Sequence, residues 1–512
     1  MLCTEESTPE NDGVPSLGKR ASSAWWIELS LSIPAFILFL IASQRLPLDV
    51  DEAYYVFGGA FLGSGQLPYR DFFFPQMPLT AIVFGIWSGV FGESFAIARC
   101  LGAILASVIG YVIVRVVRAR IGTLQAIVAL GYYSLSISAL MWMPRMKTYA
   151  LSSLLTVLAL MIVTEPRVNQ RLALCAGILS GLAISSRLLF VPVPLLVLLA
   201  ICLRVDVPAS SHRTYLARIG LGTALGLFPA LVLALLSPSQ FYFDNVQYHS
   251  LRDGSVGLVG DFAQKLLMLK SQFALRGALW PEGVQALIVV PSSIAAWLFV
   301  NPRARHLAIF PIAALTLLIV SLLPTPTHRQ YLVTLVPFAV ISIALLVVGD
   351  SRKLLAIAAL LLLPYGCVCV RSMAPILMRP RDDRPANYDA VGRAVAEATR
   401  AEDTVAALRP PFLFAAGRPV EPCSYNSFAR GNWSTLSPEQ IQRYHLCTDT
   451  DLVHAVRSGN VAAFVTHPNG DLGLTPELVQ NGWKPIERPP ATIWIAPNRG
   501  RATTGASAAP IQ

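Results

Sequence analysis

The chain has 512 residues, of which 54% are hydrophobic and 14% charged, with a mean hydropathy of +0.56. A soluble globular protein carries about 25% charged residues and cannot expose that much apolar surface, so solubility is excluded. The net charge of +10 would suit nucleic acid, but Lys and Arg punctuate the ends of the apolar runs, as the positive-inside rule requires, which argues for membrane lipids as partners and no nucleic acid.

Residues 1–24 are polar and predict a disordered cytoplasmic start ending in Lys19 and Arg20. Trp25–Ser43 is predicted to span the bilayer as an uncleaved anchor, because no small-residue cleavage site follows it. Arg45–Pro78 is not apolar, and Leu79–Phe91, short and Gly-interrupted, is expected to lie at the interface. Further spans are predicted near Phe95–Val114, Leu124–Met143, Tyr149–Val163, Leu172–Ser185, Leu188–Leu203, Ile219–Leu236, Val284–Val300, Leu307–Leu323, Leu332–Val348 and Leu354–Val370, about eleven with the first.

The basic residues assign the sides. Arg115, Arg118, Arg120, Arg167, Arg171, Arg204, Arg213, Arg218, Arg303, Arg305, Arg352 and Lys353 fall in short loops on the side of Lys19, which should be the cytoplasm. An odd number of spans then puts the C-terminus outside, in the periplasm if the membrane is a bacterial inner membrane. The expected organisation is a transmembrane domain at 25–371 with a first outer loop at 44–94, an extracytoplasmic domain at 372–498 and a disordered tail at 499–512.

In the outer domain, helices are predicted at Val391–Thr399, Asp451–Ser458 and Pro476–Gly482, and strands at Thr404–Leu408, Val461–Thr466 and Thr492–Ala496, which suggests a small α/β fold. Cys423 and Cys447 lie there, and either a disulfide or two free thiols is consistent with an outer location. The other cysteines, such as Cys367 and Cys369, sit in apolar runs without metal-ligand spacing and act as small hydrophobes.

The chemistry is concentrated after the first span, at Asp49-Val50-Asp51-Glu52-Ala53-Tyr54-Tyr55. Crowded carboxylates raise one another's pKa, so such a cluster serves a cation, a proton transfer or plain solvation. Other polar candidates gather at outer span ends: Arg145 and Lys147 in Pro144-Arg145-Met146-Lys147-Thr148, Arg187 after Ser185-Ser186, and His328, Arg329 and Tyr331 in a Pro-broken turn. For each, the alternative is a snorkelling anchor. The loop Gln240–His249 is aromatic enough to stack on sugars or to sit in the headgroup belt.

Downstream of the acidic loop the chain reads Gly63-Ser64-Gly65-Gln66-Leu67-Pro68-Tyr69-Arg70-Asp71, then Pro75-Gln76-Met77-Pro78, Phe91-Gly92-Glu93-Ser94 and Arg99. In order and spacing this resembles the polytopic glycosyltransferases of the C superfamily (GT-C), in the branch holding protein mannosyltransferases, lipid A aminoarabinose transferases and rhizobial galacturonosyl transferases. The resemblance implies an α-helical polytopic membrane protein with the GT-C fold and a small C-terminal extracytoplasmic α/β domain. It implies a sugar taken from a polyprenyl-phosphate carrier and passed, with inversion, to a lipid, glycan or protein acceptor. By resemblance Asp51 is the general base, Glu52 its paired carboxylate and Asp49 the alternative base. Arg329, Tyr331, His328, Arg187, Arg145 and Lys147, with Tyr69 and Arg70, are candidates for binding the donor phosphate. Several relatives carry a carboxylate where this chain has Arg145 and Lys147, so no metal and no other cofactor is expected. A transporter of lipid-linked sugars, or a non-catalytic sugar-binding scaffold, is the competing reading; a transporter should place ionisable residues mid-span and show repeat symmetry.

Overall fold

A computed structural model describes residues 25–251, 257–272, 293–298, 302–346, 352–379, 381–468 and 470–497. The predicted terminal segments 1–24 and 499–512, and most of the predicted span Val284–Val300, lie outside the described residues.

The helical body begins with α1 (Trp25–Arg45), α2 (Glu52–Gly63), α3 (Leu79–Phe91), α4 (Phe95–Arg120), α5 (Thr123–Ser134) and α6 (Ile137–Trp142). It continues with α7 (Thr148–Val163), α8 (Gln170–Ser186), α9 (Val193–Cys202) and α10 (His212–Leu236). Among the described residues, five helices are long and apolar enough to cross a membrane: Trp25–Arg45, Phe95–Arg120, Ala209–Leu236, Arg329–Leu346 and Lys353–Met378. Shorter apolar helices, including Thr148–Val163, Gln170–Ser186 and Arg305–Ser321, pack among them. The protein is a multi-pass membrane protein.

Three sequence expectations need correction. The loop Arg45–Pro78 contains α2, whose apolar sequence buries Tyr54, Tyr55, Val56 and Phe57, and Gly59 meets Gly85 of α3 so closely that a Cβ would lie 2.6 Å from the Gly85 nitrogen. The predicted span Leu124–Met143 breaks between α5 and α6, where the Ser136 hydroxyl accepts from the Ala139 N–H at 3.2 Å and starts a new helix. The predicted domain boundary after Arg371 falls inside the helix Arg352–Met378, which carries an exposed Arg371 without interruption.

The C-terminal domain holds a four-stranded sheet of order β1-β2-β4-β3, built from β1 (Val405–Ala407), β2 (Ala463–Thr466), β3 (Lys484–Arg488) and β4 (Ala491–Ile495). β1 and β2 are parallel, while β4 is antiparallel to both β2 and β3. β3 was not predicted, because Lys484-Pro485-Ile486-Glu487-Arg488 is exposed throughout and offers no buried alternation. The helix Pro385–Ala398 covers the sheet and also clasps the body. The Asp389 carboxylate accepts from the Ser94 hydroxyl at 2.6 Å and from the Phe95 N–H at 2.8 Å, at the N-terminus of α4. Phe414 packs edge-on against Phe57 and tilted against Phe95, so one apolar core runs from α2 and α4 into the sheet.

Candidate active site

The loop after α1 is fixed by Glu52 and Arg99, both fully buried. Arg99 donates through Nε to Glu52 Oε2 at 2.8 Å and through Nη2 to Oε1 at 2.5 Å. Its remaining donors reach the carbonyls of Ser43, Leu46 and Pro47 at 2.7–2.9 Å, so the whole fork of the guanidinium is used. Glu52 in turn accepts from the backbone N–H groups of Asp49 and Met146 at 2.9 and 3.1 Å. Burial alone would raise the Glu52 pKa, but the Arg99 charge and hydrogen bonds outweigh it and hold the carboxyl below its ordinary 4.5.

This clamp turns Asp49 and Asp51 the other way, into a cavity of about 300 Å³. Lys147 donates to Asp49 Oδ2 and to Asp51 Oδ2, each at 3.0 Å, and Arg145 donates to Asp49 Oδ2 at 3.1 Å. Asp49 is thus held between two cations; desolvation pushes its pKa up, but Lys147 and then Arg145 prevail and keep it below 3.8. The Asp51 side chain, 30% exposed, has Lys147 alone as its ion-pair partner among the described residues. Lys147 and Arg145 are buried at the turn before α7 and lie over the Trp142 ring at 5.2 and 4.4 Å.

The far wall comes from other segments. Arg187, at the end of α8, sits over the rings of Tyr149 and Tyr331 at 4.8 and 4.7 Å and donates to the Thr148 hydroxyl at 3.0 Å. His328, Gln330 and Tyr331 line the same cavity. Tyr248 and His249 close it, and Phe428 of the C-terminal domain reaches it through an edge contact to Tyr54. Among the described residues no group of three or more His, Cys, Asp or Glu could hold a metal ion.

The structure therefore brings Asp49, Asp51, Lys147, Arg187, His328 and Tyr331 to one cavity, with Arg145 behind Asp49. It does not bring four others there. Glu52 faces the core. Arg329 is exposed and gives its expected place on the lining to Gln330. Arg70 is a surface residue paired with Asp71 at 2.8 Å. Tyr69 is fully buried, its hydroxyl donating to the Gln76 carbonyl at 2.6 Å, and so shapes the loop that carries Gln76 into the lining. Tyr54, Tyr55, Gln76, Tyr149 and Phe428 also line the cavity without having been singled out from sequence. Tyr54 and Tyr55 adjoin the acidic run and Tyr248 and His249 end the aromatic loop, so those signals were present, whereas nothing in the sequence marks Phe428. Cys423 and Cys447 are buried free thiols.

The architecture is an acidic first loop beneath a small α/β domain, on a body of apolar helices. Solved structures agree. The chain is similar to ArnT from Cupriavidus metallidurans in the apo state, at 14% identity and TM-score 0.61 over 93% of this chain and 98% of that one. It is equally similar to the same ArnT bound to undecaprenyl phosphate, at 14% identity and TM-score 0.61 over 92% and 98%. An oligosaccharyltransferase from Archaeoglobus fulgidus, in complex with Zn and sulfate, aligns at 13% identity and TM-score 0.52 over 93% of this chain and 73% of that one. No protein-family model and no curated protein sequence matches the chain.

Proposed function

We propose that this protein is an inverting membrane glycosyltransferase that moves a sugar from a polyprenyl-phosphate carrier to an acceptor hydroxyl, on the outer face of a bacterial inner membrane. The observation that carries the reading is the meeting of two loop carboxylates with buried cations from two other segments in one cavity at the outer helix ends. ArnT, which shares the fold, is known bound to undecaprenyl phosphate.

In this reading Asp51 takes the proton from the acceptor hydroxyl as that oxygen attacks the anomeric carbon. The bond from the anomeric carbon to the phosphate oxygen breaks, and the carrier leaves as a phosphate monoester. Lys147 and Arg187 stabilise the charge that develops there, with the Tyr331 hydroxyl as a further donor. Asp51 suits the base better than Asp49, which is engaged by two cations and accepts from the Asp51 N–H at 3.1 Å. The Lys147 ammonium occupies the space between the two carboxylates that a divalent ion would need, so the donor set does not fit a metal. Lys147 supplies the positive charge itself.

The test is sugar transfer in membranes carrying Asp51→Asn or Asp49→Asn at equal protein levels, with polyprenyl-phosphate-linked donors. Asp51→Asn should lower transfer at least about a hundredfold, as expected for loss of a general base. Asp49→Asn should weaken it less, and chelators should leave the wild type unaffected. Undiminished transfer by Asp51→Asn would remove the assignment.

A further inference from the structure

A buried carboxyl that the proposed reaction does not use is Asp244, in the π-helix Phe243–Gln247 beyond the end of α10. Such turns widen a helix by one residue and recur at functional sites. Asp244 is 1% exposed. Its Oδ2 accepts from the Phe74 N–H at 2.8 Å, and its Oδ1 is buried with no hydrogen-bond partner among the described residues. The titratable side chains that face it are the phenols of Tyr69, on the loop after α2, and Tyr425, in the C-terminal domain. No cation pairs with it among the described residues. A carboxylate taken out of water here loses more than one backbone N–H returns, so the group is held as the acid. Burial pushes its pKa well above 3.8, against the smaller opposing effect of the Phe74 hydrogen bond.

The bond to Phe74 joins two pieces of the wall around Asp49 and Asp51. Pro75 and Gln76 follow Phe74, Tyr248 and His249 follow the π-helix directly, and all four line that cavity. Neighbouring contacts fasten the same two pieces. Phe73 meets Tyr248 edge-on at 4.9 Å, and the Tyr69 hydroxyl, which holds the Gln76 carbonyl, is also hydrogen-bonded to Asn245. Phe243 stacks flat on Tyr444 of the C-terminal domain, 3.8 Å between centroids and 3° between planes. Of the residues named in these contacts, Asp244 is the one whose charge can change near neutral pH once its neighbours loosen.

We propose that Asp244 is a positioning residue that works as the uncharged acid: it fastens the Pro75-Gln76 turn to the segment carrying Tyr248 and His249, and gain of its charge unfastens them. The proposal deepens the transfer reading given above, on which it rests for the use of the cavity. The sign of its pH dependence is opposite to that of Asp49 and Glu52. Because the folded-state pKa is raised, the contribution of this carboxyl is complete below the ordinary 3.8 and is lost as pH rises toward the folded value.

Amide exchange on the full chain in detergent tests this without any substrate. Between about pH 5 and about pH 7, after correction for intrinsic exchange, protection in residues 72–76 and 243–249 should fall at least about tenfold in the wild type. It should stay constant in Asp244→Asn, which keeps an acceptor for Phe74 and cannot ionise. In transfer assays at equal protein levels, Asp244→Ala should lower transfer at least about tenfold, and Asp244→Asn should restore most of that loss. The same pH dependence of protection in the wild type and Asp244→Asn, or a loss of transfer as large in Asp244→Asn as in Asp244→Ala, would overturn the proposal. Should the wild type itself transfer no sugar, the transfer reading fails, while the exchange result still decides whether the uncharged acid fastens the two segments.

Discussion

Asp51 and Glu52 are neighbours in sequence with opposite fates. Consecutive residues at the start of a helix do not share a face, so when α2 turns one carboxylate toward the cavity the other must enter the core. A run of acids shows that charge is present but not its helical phase, and for this reason the acidic loop could be located from sequence while Glu52 was assigned the wrong surroundings. The prediction is a separation of effects. Glu52→Gln leaves Arg99 as a buried charge without its counter-ion and should destabilise the protein by about 3–5 kcal/mol, whereas Asp51→Asn should leave stability nearly unchanged. Thermal unfolding in detergent reads the difference. Acid should mimic the first variant. The folded-state pKa values of Asp49 and Glu52 are depressed, so their contribution is present above the ordinary carboxylate values of 3.8 and 4.5 and is lost as pH falls through the folded values. The wild type should therefore lose stability steeply below about pH 4, and Glu52→Gln should lose much of that dependence.

At the scale of elements, α8 and α10 form the closest helix pair of the body. Gly177 and Gly181 on one face Gly222 and Gly226 on the other, each pair spaced by four. A Cβ at Gly181 would stand 2.2 Å from the Thr223 carbonyl oxygen, and one at Gly226 would stand 2.2 Å from that of Ile178, so backbone meets backbone and no side chain can yield. In lipid, where apolar burial does not drive helices together, close approach of this kind is what holds them. Gly226→Leu should force the pair apart at a cost of about 1–3 kcal/mol or more, read as loss of folded protein after extraction. Gly220 lies on the same helix with open space around it, so Gly220→Ala should be neutral or stabilising by up to about 1 kcal/mol. Both glycine spacings are visible in the sequence, and both helices were located there. Their pairing was not, because spacing identifies a face capable of close contact without naming the helix that meets it. The same limit explains α2: its stretch reads as non-apolar in the sequence, and only the partner across Gly59 and Gly85 makes a short buried helix of it.

For the whole molecule, the C-terminal domain is part of the frame that holds the cavity. The sequence shows a change of composition near residue 372, and a four-stranded sheet with helices follows it in the structure, but composition carries no information about what that unit rests on. Asp389 caps α4 from the C-terminal domain. The Tyr425 hydroxyl accepts from the Phe73 N–H at 2.9 Å, tying the domain also to the loop that carries Pro75 and Gln76 into the cavity. Because α4 also carries Arg99, a continuous chain of contacts runs from Asp389 through the first turn of α4 to Arg99, Glu52 and the two cavity aspartates. Asp389→Ala removes the partner of three donors, the Ser94 hydroxyl and the Phe95 and Ala96 N–H groups, and should cost about 1–3 kcal/mol. Its distinguishing signature is spatial. If the domain and the body are one mechanical unit, amide exchange should accelerate together in residues 95–98, in the helix Pro385–Ala398 and in the loop at Leu48–Glu52. Acceleration confined to the helix Pro385–Ala398 would mean that the acidic loop is held by the body alone.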